Sequence, residues 1–164
     1  MKAFLVILYI FLGLNVFAQK TIPEVLKKFN KNSVPYISVV ELKSKKKFII
    51  LDAREIKEFE VSHLKNANFV GYNTFDSKKI MQNYKNQNDT IVVYCSIGIR
   101  SEKIGEKLIK LGYKNVYNLY GGIFEWKNKG EQVFDSTQKP TENVHAFSKE
   151  WSKYLLKGNK ITTK

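Results

Sequence analysis

The chain has 164 residues, of which 43% are hydrophobic and 26% charged, and its formal net charge is +13. This composition is typical of a folded globular protein and excludes intrinsic disorder, collagen and coiled-coil arrays, while the length indicates a single domain. The positive charge comes from 26 lysines and only two arginines, and because the lysines are spread along the whole chain, we interpret them as a solvated surface rather than a nucleic-acid-binding patch.

The first eighteen residues have the features of a secretory signal peptide. Lys2 precedes an apolar run over residues 3–14, and Val16 and Ala18 stand at the two positions that signal peptidase reads. The pattern predicts a cut near Ala18 and export to the periplasm or the medium, which argues against a nucleic-acid partner. Because the run is short for a membrane span, we expect no stable membrane insertion after cleavage; an uncleaved anchor is the alternative.

The rest of the chain divides into a Lys-rich lead-in (19–36), a folded domain (37–134) and a C-terminal extension (135–164). Ser38 and Glu41 match a capping box at the start of a helix over residues 39–44. The next predicted elements are a buried strand over 48–51 that stops at Asp52, a helix over 54–60, a strand over 67–70 and a helix over 78–84.

The second half of the domain continues this alternation. The strongest predicted strand covers residues 90–94 and ends on Cys95, and the following helix has Ser101 as its predicted N-cap and Gly112 as its stop. A strand over 116–119 and a helix over 123–129 complete the pattern. Strands that alternate with helices predict an α/β domain with a central, mainly parallel sheet flanked by helices.

The C-terminal extension begins with a polar stretch over residues 135–143, which we interpret as a linker or loop. Phe147, Trp151, Tyr154 and Leu155 follow near helical spacing. The spacing predicts an amphipathic helix whose apolar stripe packs on the domain.

Cys95 and the residues after it carry the chemistry. In an open α/β sheet, ligands bind at the carboxyl ends of the strands, where the predicted strand delivers this cysteine. A loop that wraps the sulfur would point its backbone N–H groups inward, and Gly98 permits the backbone conformation that such a loop needs. The following helix and Arg100 add positive charge, so the sequence predicts a thiol pKa below its free value.

The rare arginines support the same interpretation. Lysine occurs 26 times in the sequence, whereas arginine occurs twice, at Arg54 and Arg100. A position that needed only positive charge could carry lysine, so both arginines indicate sites that use the planar, forked guanidinium. Cys95 is the only cysteine, which excludes an internal disulfide framework and a thiolate zinc cluster.

Three motifs resemble those of single-domain rhodanese-like proteins, over roughly residues 37–130. The first is an Asp-x-Arg strand end with a Glu-Phe pair and a later His-Leu turn; the second is the loop Cys-x-x-Gly-x-Arg; the third is Tyr-Gly-Gly followed by Trp. In this sequence they comprise Asp52, Arg54, Glu58, Phe59, His63 and Leu64, then Cys95 to Arg100, then Tyr120, Gly121, Gly122 and Trp126.

The resemblance implies the three-layer rhodanese-like fold and sulfurtransferase activity without a cofactor or metal. Cys95 would take the outer sulfur of an anionic donor such as thiosulfate as a persulfide and pass it to an external thiol or a cyanide-like acceptor. Arg100 would hold the donor or acceptor anion, and a protein partner is a further possibility. The loop positions implied to cradle the persulfide are Ser96, Ile97, Gly98, Ile99 and Ser101, and the implied ion-pair supports beneath the loop are Asp52, Arg54 and Glu58.

The turn around His63 departs from the family pattern, which usually has Gly before the His and Pro-Gly after it. Ser62 and Asn66 stand in this region instead. Asn tolerates a left-handed backbone conformation, so we expect the turn to survive with His63 as a turn or core residue. We expect Trp126 and Trp151 to be core aromatics and His145 a surface residue.

Other functions stay open at this stage. A Cys-based phosphatase or arsenate reductase uses a loop one residue longer, whereas only four residues separate Cys95 from Arg100. A catalytically silent binding module on the same fold is a second alternative. A redox or metal site is the weakest, because the chain has no second cysteine and neither histidine has ligand spacing with Cys95.

Overall fold

The computed structural model describes residues 21–44 and 47–162, so the predicted signal peptide lies outside the described residues. Its helices and strands alternate along the chain, as the sequence predicts. The helices are α1 (Ile22–Phe29), α2 (Val39–Ser44), α3 (Ile56–Val61), α4 (Ser77–Asn83), α5 (Ile99–Lys110) and α6 (Gly122–Asn128), and the strands are β1 (Tyr36–Ile37), β2 (Ile49–Asp52), β3 (Asn68–Phe69), β4 (Thr90–Tyr94), β5 (Asn115–Leu119), β6 (Val133–Phe134), β7 (Pro140–Thr141), β8 (Asn143–His145) and β9 (Asn159–Ile161).

Five strands form one central sheet in the order β1-β5-β4-β2-β3, and all four pairings are parallel. The central strand β4 pairs along its length with β2 on one side and β5 on the other, with Tyr94 opposite Asp52. Their carboxyl ends therefore meet at one edge, which is where the loop after Cys95 lies. The α/β fold with a central parallel sheet flanked by helices is confirmed.

Strand β4 shows why both faces of the sheet are covered. Val92 and Tyr94 pack with the core that contains α1, α2 and α6, whereas Ile91 and Val93 pack with the core that contains α4 and α5. All four side chains are fully buried. Because side chains alternate between faces, a continuous apolar strand needs helices on both sides.

Most predicted element bounds agree with the structure to within one or two residues. The capping box is present, since the Ser38 N–H donates to the Glu41 carboxylate at 2.9 Å and the Ser38 hydroxyl accepts the Glu41 N–H at 3.2 Å. Asn66 adopts φ +59°, so the expected left-handed turn is confirmed. Gly112, with φ +95°, follows the end of α5 as predicted.

Helix α1 lies in the predicted lead-in and was not expected from the sequence. Ile22, Val25 and Leu26 are buried at helical spacing, and the Thr21 N–H donates to the Glu24 carboxylate at 2.7 Å. The apolar stripe of α1 has only three residues. Because they lie in a lysine-rich stretch, the sequence pattern did not indicate a helix. The helix packs on the same face of the sheet as α6.

The predicted C-terminal amphipathic helix is wrong. Among the described residues of the extension, the only helical turn is a 3₁₀ segment over Ser152–Tyr154. The predicted linker instead contributes β7 to an antiparallel pair with β6, and β8 pairs parallel with β9. The stability of a short helix depends on tertiary packing. In this extension, tight turns rather than a helix bring the apolar side chains to the domain, and Leu155 is fully buried.

Within the described ranges, no helix combines the length and the apolar character that crossing a membrane requires.

Candidate active site

Cys95 follows β4 and lies at the base of a short loop, with only 2% of its surface exposed. The Gly98 N–H donates to its Sγ at 3.2 Å, and the Ser101 Oγ lies 3.5 Å from the same sulfur. Gly98 has φ +110° and immediately precedes α5, so the prediction that this glycine takes a conformation that other residues resist is confirmed. The predicted N-cap at Ser101 is wrong, because Gly98 occupies that position and Ser101 lies within the first turn.

Competing effects set the pKa of the Cys95 thiol. Burial raises it, because the thiolate loses hydration. The charge of Arg100 lowers it, as do hydrogen bonds from the Ser101 hydroxyl and from the Ser101 and Gly98 backbone. The lowering effects prevail, so the pKa of Cys95 lies below its ordinary value and the nucleophilic thiolate is favoured.

The Arg100 guanidinium is held in place by Glu58 on α3. Its Nη1 and Nη2 donate to the two carboxylate oxygens at 2.6 and 2.8 Å. Ser96 completes the cluster, because its Oγ accepts from Arg100 at 3.0 Å and donates to Glu58 at 3.1 Å. Burial raises the pKa of Glu58, but the hydrogen bonds and charge of Arg100, together with the charge of Arg54 and the Glu55 N–H, lower that pKa overall. The ion pair thus orients Arg100 beside the loop.

Asp52 and Arg54 form a second, separate ion pair at the end of β2. Both side chains are fully buried, and the Arg54 Nη2 donates to Asp52 at 2.6 Å and to the Ser62 carbonyl at 2.6 Å. The guanidinium also lies over the Tyr94 ring, 5.6 Å from its centre. The three predicted supports are therefore divided, with Glu58 on Arg100 and Asp52 on Arg54.

Two asparagines that the sequence did not single out hold the loop from behind. Asn118 on β5 and Asn30 after α1 both donate to the Gly98 carbonyl, at 2.8 and 2.9 Å. Asn118 also accepts the Ser101 hydroxyl at 2.7 Å. The sequence offered one signal for Asn118, which is a polar residue within a predicted buried strand. It offered no signal for Asn30.

The Gly-Gly pair at the start of α6 contacts the backbone of the loop directly. The Ile123 and Phe124 N–H groups donate to the Cys95 and Ser96 carbonyls at 2.9 and 3.1 Å. Gly122 has φ +56°, and a Cβ there would overlap the Cys95 carbonyl oxygen. The glycine lets α6 approach the Cys95 loop closely.

The loop forms the floor of a cavity of about 170 Å³. The extension supplies its wall, because Phe147 lies over the Arg100 guanidinium, 4.8 Å from ring centre to Cζ. Trp151 packs against the core, as expected, and its half-buried ring also lines this cavity. The residues that line it are Cys95, Ser96, Ile97, Ile99, Arg100, Phe147 and Trp151.

The two histidines have structural roles. His63 is buried and stacked on Phe59 at 4.2 Å, and its Nε2 lies 3.0 Å from the Gln138 amide nitrogen, which confirms a turn or core residue. The expected surface position of His145 is wrong, because it is 4% exposed and its Nδ1 accepts the Phe147 N–H at 3.1 Å. In the part of the chain that the structure describes, no cluster of His, Cys, Asp and Glu could hold a metal ion.

Comparisons with known proteins place this site in context. A family model described as "Rhodanese-like domain" matches residues 38–129. The chain is 35% identical over 106 residues to the adenylyltransferase and sulfurtransferase UBA4 of Candida albicans, covering 62% of this chain and 24% of that protein. It is 37% identical over 89 residues to the tRNA uridine(34) hydroxylase of Photorhabdus laumondii, covering 51% and 25%.

The matched region thus spans about a quarter of the length of these curated relatives. Among solved structures, the thiosulfate sulfurtransferase of Pseudomonas aeruginosa superposes with a TM-score of 0.57 at 20% identity, over 74% of this chain and 23% of that chain. That likeness concerns the fold. The aromatic wall from Phe147 and Trp151 lies beyond the residues that the family model matches.

Proposed function

Because the chain belongs to the rhodanese-like domain family, we propose that it is a sulfurtransferase that carries sulfur as a persulfide on Cys95. One observation carries the proposal: the Gly98 N–H points at the Cys95 Sγ from 3.2 Å, at the floor of an open cavity. This geometry stabilises negative charge on the Cys95 Sγ, both in the attacking thiolate and in the thiolate that returns when the persulfide is released. The word sulfurtransferase in the name of the Candida albicans relative supports the same reaction class.

In the proposed first step, the Cys95 thiolate attacks the outer sulfur of a donor such as thiosulfate. A bond forms between the two sulfurs while the bond between the outer and inner sulfur of the donor breaks. The bonding electron pair leaves with sulfite, and Cys95 keeps the transferred sulfur as a persulfide anion. Arg100 lines the cavity and supplies positive charge to the thiolate and to the anionic donor.

In the second step, a nucleophile attacks the outer sulfur of the persulfide. The sulfur–sulfur bond breaks, and its electron pair returns to Cys95 as the thiolate. With cyanide the product is thiocyanate. Because Cys95 is the only cysteine of the chain, no internal thiol can resolve the persulfide as a disulfide, so the acceptor must be external.

The proposed division of labour follows from the contacts. Backbone N–H groups of the loop hold the sulfur, and Glu58 fixes the Arg100 guanidinium by two short hydrogen bonds. Asn118 fixes the loop itself through the Gly98 carbonyl. Glu58 and Asn118 therefore act as positioning residues, Glu58 through Arg100 and Asn118 through the loop.

The test is thiosulfate:cyanide sulfurtransferase activity of residues 19–164, with mass spectrometry of the resting protein. We expect thiocyanate formation and an added sulfur atom that cyanide removes. Cys95→Ser should abolish both while unfolding at the same urea concentration as the unmutated protein. If the folded, reduced protein neither loads sulfur nor forms thiocyanate, the proposal is contradicted and a binding module is favoured. Turnover of a phosphate ester or of arsenate would instead favour a Cys-based phosphatase or arsenate reductase.

We also propose that the mature chain is exported after removal of residues 1–18. The basis is the sequence pattern of Lys2, the apolar run and Ala18. Mass spectrometry of the protein from its native cells should find Gln19 as the first residue. Recovery with Met1 in place contradicts cleavage.

A further inference from the structure

The wall of the active-site cavity is built by a strained turn in the C-terminal extension. Phe147 has φ +64°, and the Ser148 N–H donates to the Ala146 carbonyl at 2.8 Å, which makes a three-residue turn with Phe147 at its centre. Left-handed backbone is unfavourable for a bulky side chain, and such strain persists where surrounding contacts require it. Here the contacts are the buried His145, which accepts the Phe147 N–H, and the Arg100 guanidinium beneath the ring.

The turn places two aromatic rings at the mouth of the site. Phe147 and Trp151 are 6.5 Å apart in an edge-to-face arrangement, and both line the cavity above Cys95. Strand β8, which leads into the turn, packs against α3, the helix that carries Glu58. The extension is therefore anchored to the catalytic machinery at the point where it covers the site.

The lining of the cavity is chemically one-sided. Among its lining residues, Arg100 is the only charged one, and its guanidinium is already paired with the Glu58 carboxylate and covered by the Phe147 ring. Ile97, Ile99 and the two aromatic rings supply the remaining bulk. Arg100 attracts the small donor anion beside Cys95, but a charged organic substituent in contact with the aromatic rings would lose water without gaining a hydrogen-bond partner from them.

The volume of the cavity, about 170 Å³, is enough to receive one ring. An enclosed, engineered apolar cavity of roughly 150 Å³ in another protein binds benzene. The present cavity is open on one side, so it can cover a phenyl ring or a branched alkyl group while the rest of a larger molecule stays in solvent. Ring–ring contacts with Phe147 and Trp151 would favour the aromatic one.

From this geometry we infer that the physiological acceptor is a small organic thiol with an apolar, phenyl-sized group, selected by Phe147 and Trp151. The inference rests on the proposed sulfurtransferase function. The acceptor thiolate attacks the outer sulfur of the Cys95 persulfide, the sulfur–sulfur bond breaks, and its electron pair returns to Cys95. The acceptor leaves as an organic persulfide, and no external oxidant or reductant is consumed.

The test compares acceptors on the full mature chain, with thiosulfate as donor. The acceptors are phenylmethanethiol, β-mercaptoethanol, glutathione and, as an acceptor too small to reach the wall, cyanide. The variant is Phe147→Ala. Its matched control is Phe29→Ala, since Phe29 is 48% exposed against 47% for Phe147 and also contacts Trp151, at 6.4 Å, but does not line the cavity.

The unmutated protein should use phenylmethanethiol with a kcat/KM about tenfold above that for β-mercaptoethanol, and Phe147→Ala should remove most of this preference by raising KM. Because Phe147 lies over Arg100, the readout is the ratio of phenylmethanethiol to cyanide turnover in each protein. This ratio should fall several-fold in Phe147→Ala, fall less in Phe147→Leu, and stay within about twofold of the unmutated value in Phe29→Ala, which should also keep its cyanide turnover. This inference alone is overturned if the protein turns over cyanide but does not prefer phenylmethanethiol to β-mercaptoethanol. It is also overturned if Phe147→Ala leaves that preference unchanged. If the unmutated protein does not turn over cyanide, the proposed function is overturned, and this inference with it.

Discussion

Replacement of Gly122 by alanine tests whether α6 positions the loop that contains Cys95. Gly122 has φ +56°, and a Cβ there would overlap the Cys95 carbonyl oxygen and lie 2.7 Å from the Ser96 carbonyl oxygen. These contacts are with backbone, so no side-chain rotation can relieve them. The loop and α6 must separate, which strains the hydrogen bonds that Ile123 and Phe124 donate to the same two carbonyls.

The magnitude follows from two costs. A left-handed backbone costs a residue with a Cβ about 1 to 2 kcal/mol, and forcing an extra carbon into a packed site costs about 1 to 3 kcal/mol. We therefore expect Gly122→Ala to lower the free energy of unfolding by about 2 to 5 kcal/mol. Gly130→Ala is the matched control, because Gly130 has φ +86° but its Cβ would meet only the Lys157 Nζ, at 3.8 Å.

Urea unfolding of both variants measures the stabilities, and Gly130→Ala should lose only the backbone cost of about 1 to 2 kcal/mol. In the thiosulfate:cyanide assay, Gly122→Ala should lose about a hundredfold in kcat/KM because a misplacement near 1 Å at a reacting atom has that effect. The control should keep its activity. Equal losses of stability in the two variants, with full activity in Gly122→Ala, would falsify the close approach of α6 to Cys95.

Two further predictions concern the charged groups. Asp52→Ala leaves the Arg54 guanidinium buried without its carboxylate and should lower the free energy of unfolding by about 3 to 5 kcal/mol in urea; a loss below about 1 kcal/mol contradicts a dependence on this pair. Ultraviolet absorbance of the Cys95 thiolate should titrate with a midpoint below that of the same thiol in the unfolded chain, because the lowering effects on its pKa prevail. Arg100→Ala should raise that midpoint, because the charge of Arg100 lowers the thiol pKa. The control Lys103→Ala, on the same helix, should leave the midpoint unchanged. Equal midpoints for the two variants would refute the role of Arg100.

Local patterns in the sequence predicted the parts of the site that depend on chain neighbours. The apolar strand over Thr90–Tyr94 could only be central and buried, so it delivered Cys95 to the ligand-binding edge. Gly98 and Asn66 were predicted in positions that require left-handed backbone, and both have it. Such features are properties of a few consecutive residues, which is why they can be read in chain order.

The errors and omissions share a physical cause, which is contact between residues that are distant in the chain. Asn30 reaches the Gly98 carbonyl across 68 positions, and no local pattern records that distance. The spacing of Phe147 and Trp151 resembled a helical stripe, but packing against Arg100 and the core favours separate tight turns. His145 became buried because β8 packs on α3.

The sequence by itself determined the position of Cys95, the loop that surrounds it and the parallel sheet that presents it, because strand period, glycine positions and a single cysteine are local facts. Only the tertiary structure decided what the charged and aromatic side chains do. Glu58 is 42 positions from Arg100 yet holds it by two hydrogen bonds, and Phe147, in the C-terminal extension, covers the same guanidinium. The partner of a side chain depends on which surfaces the fold brings within a few ångströms, and that is settled by packing of the whole chain rather than by spacing along it.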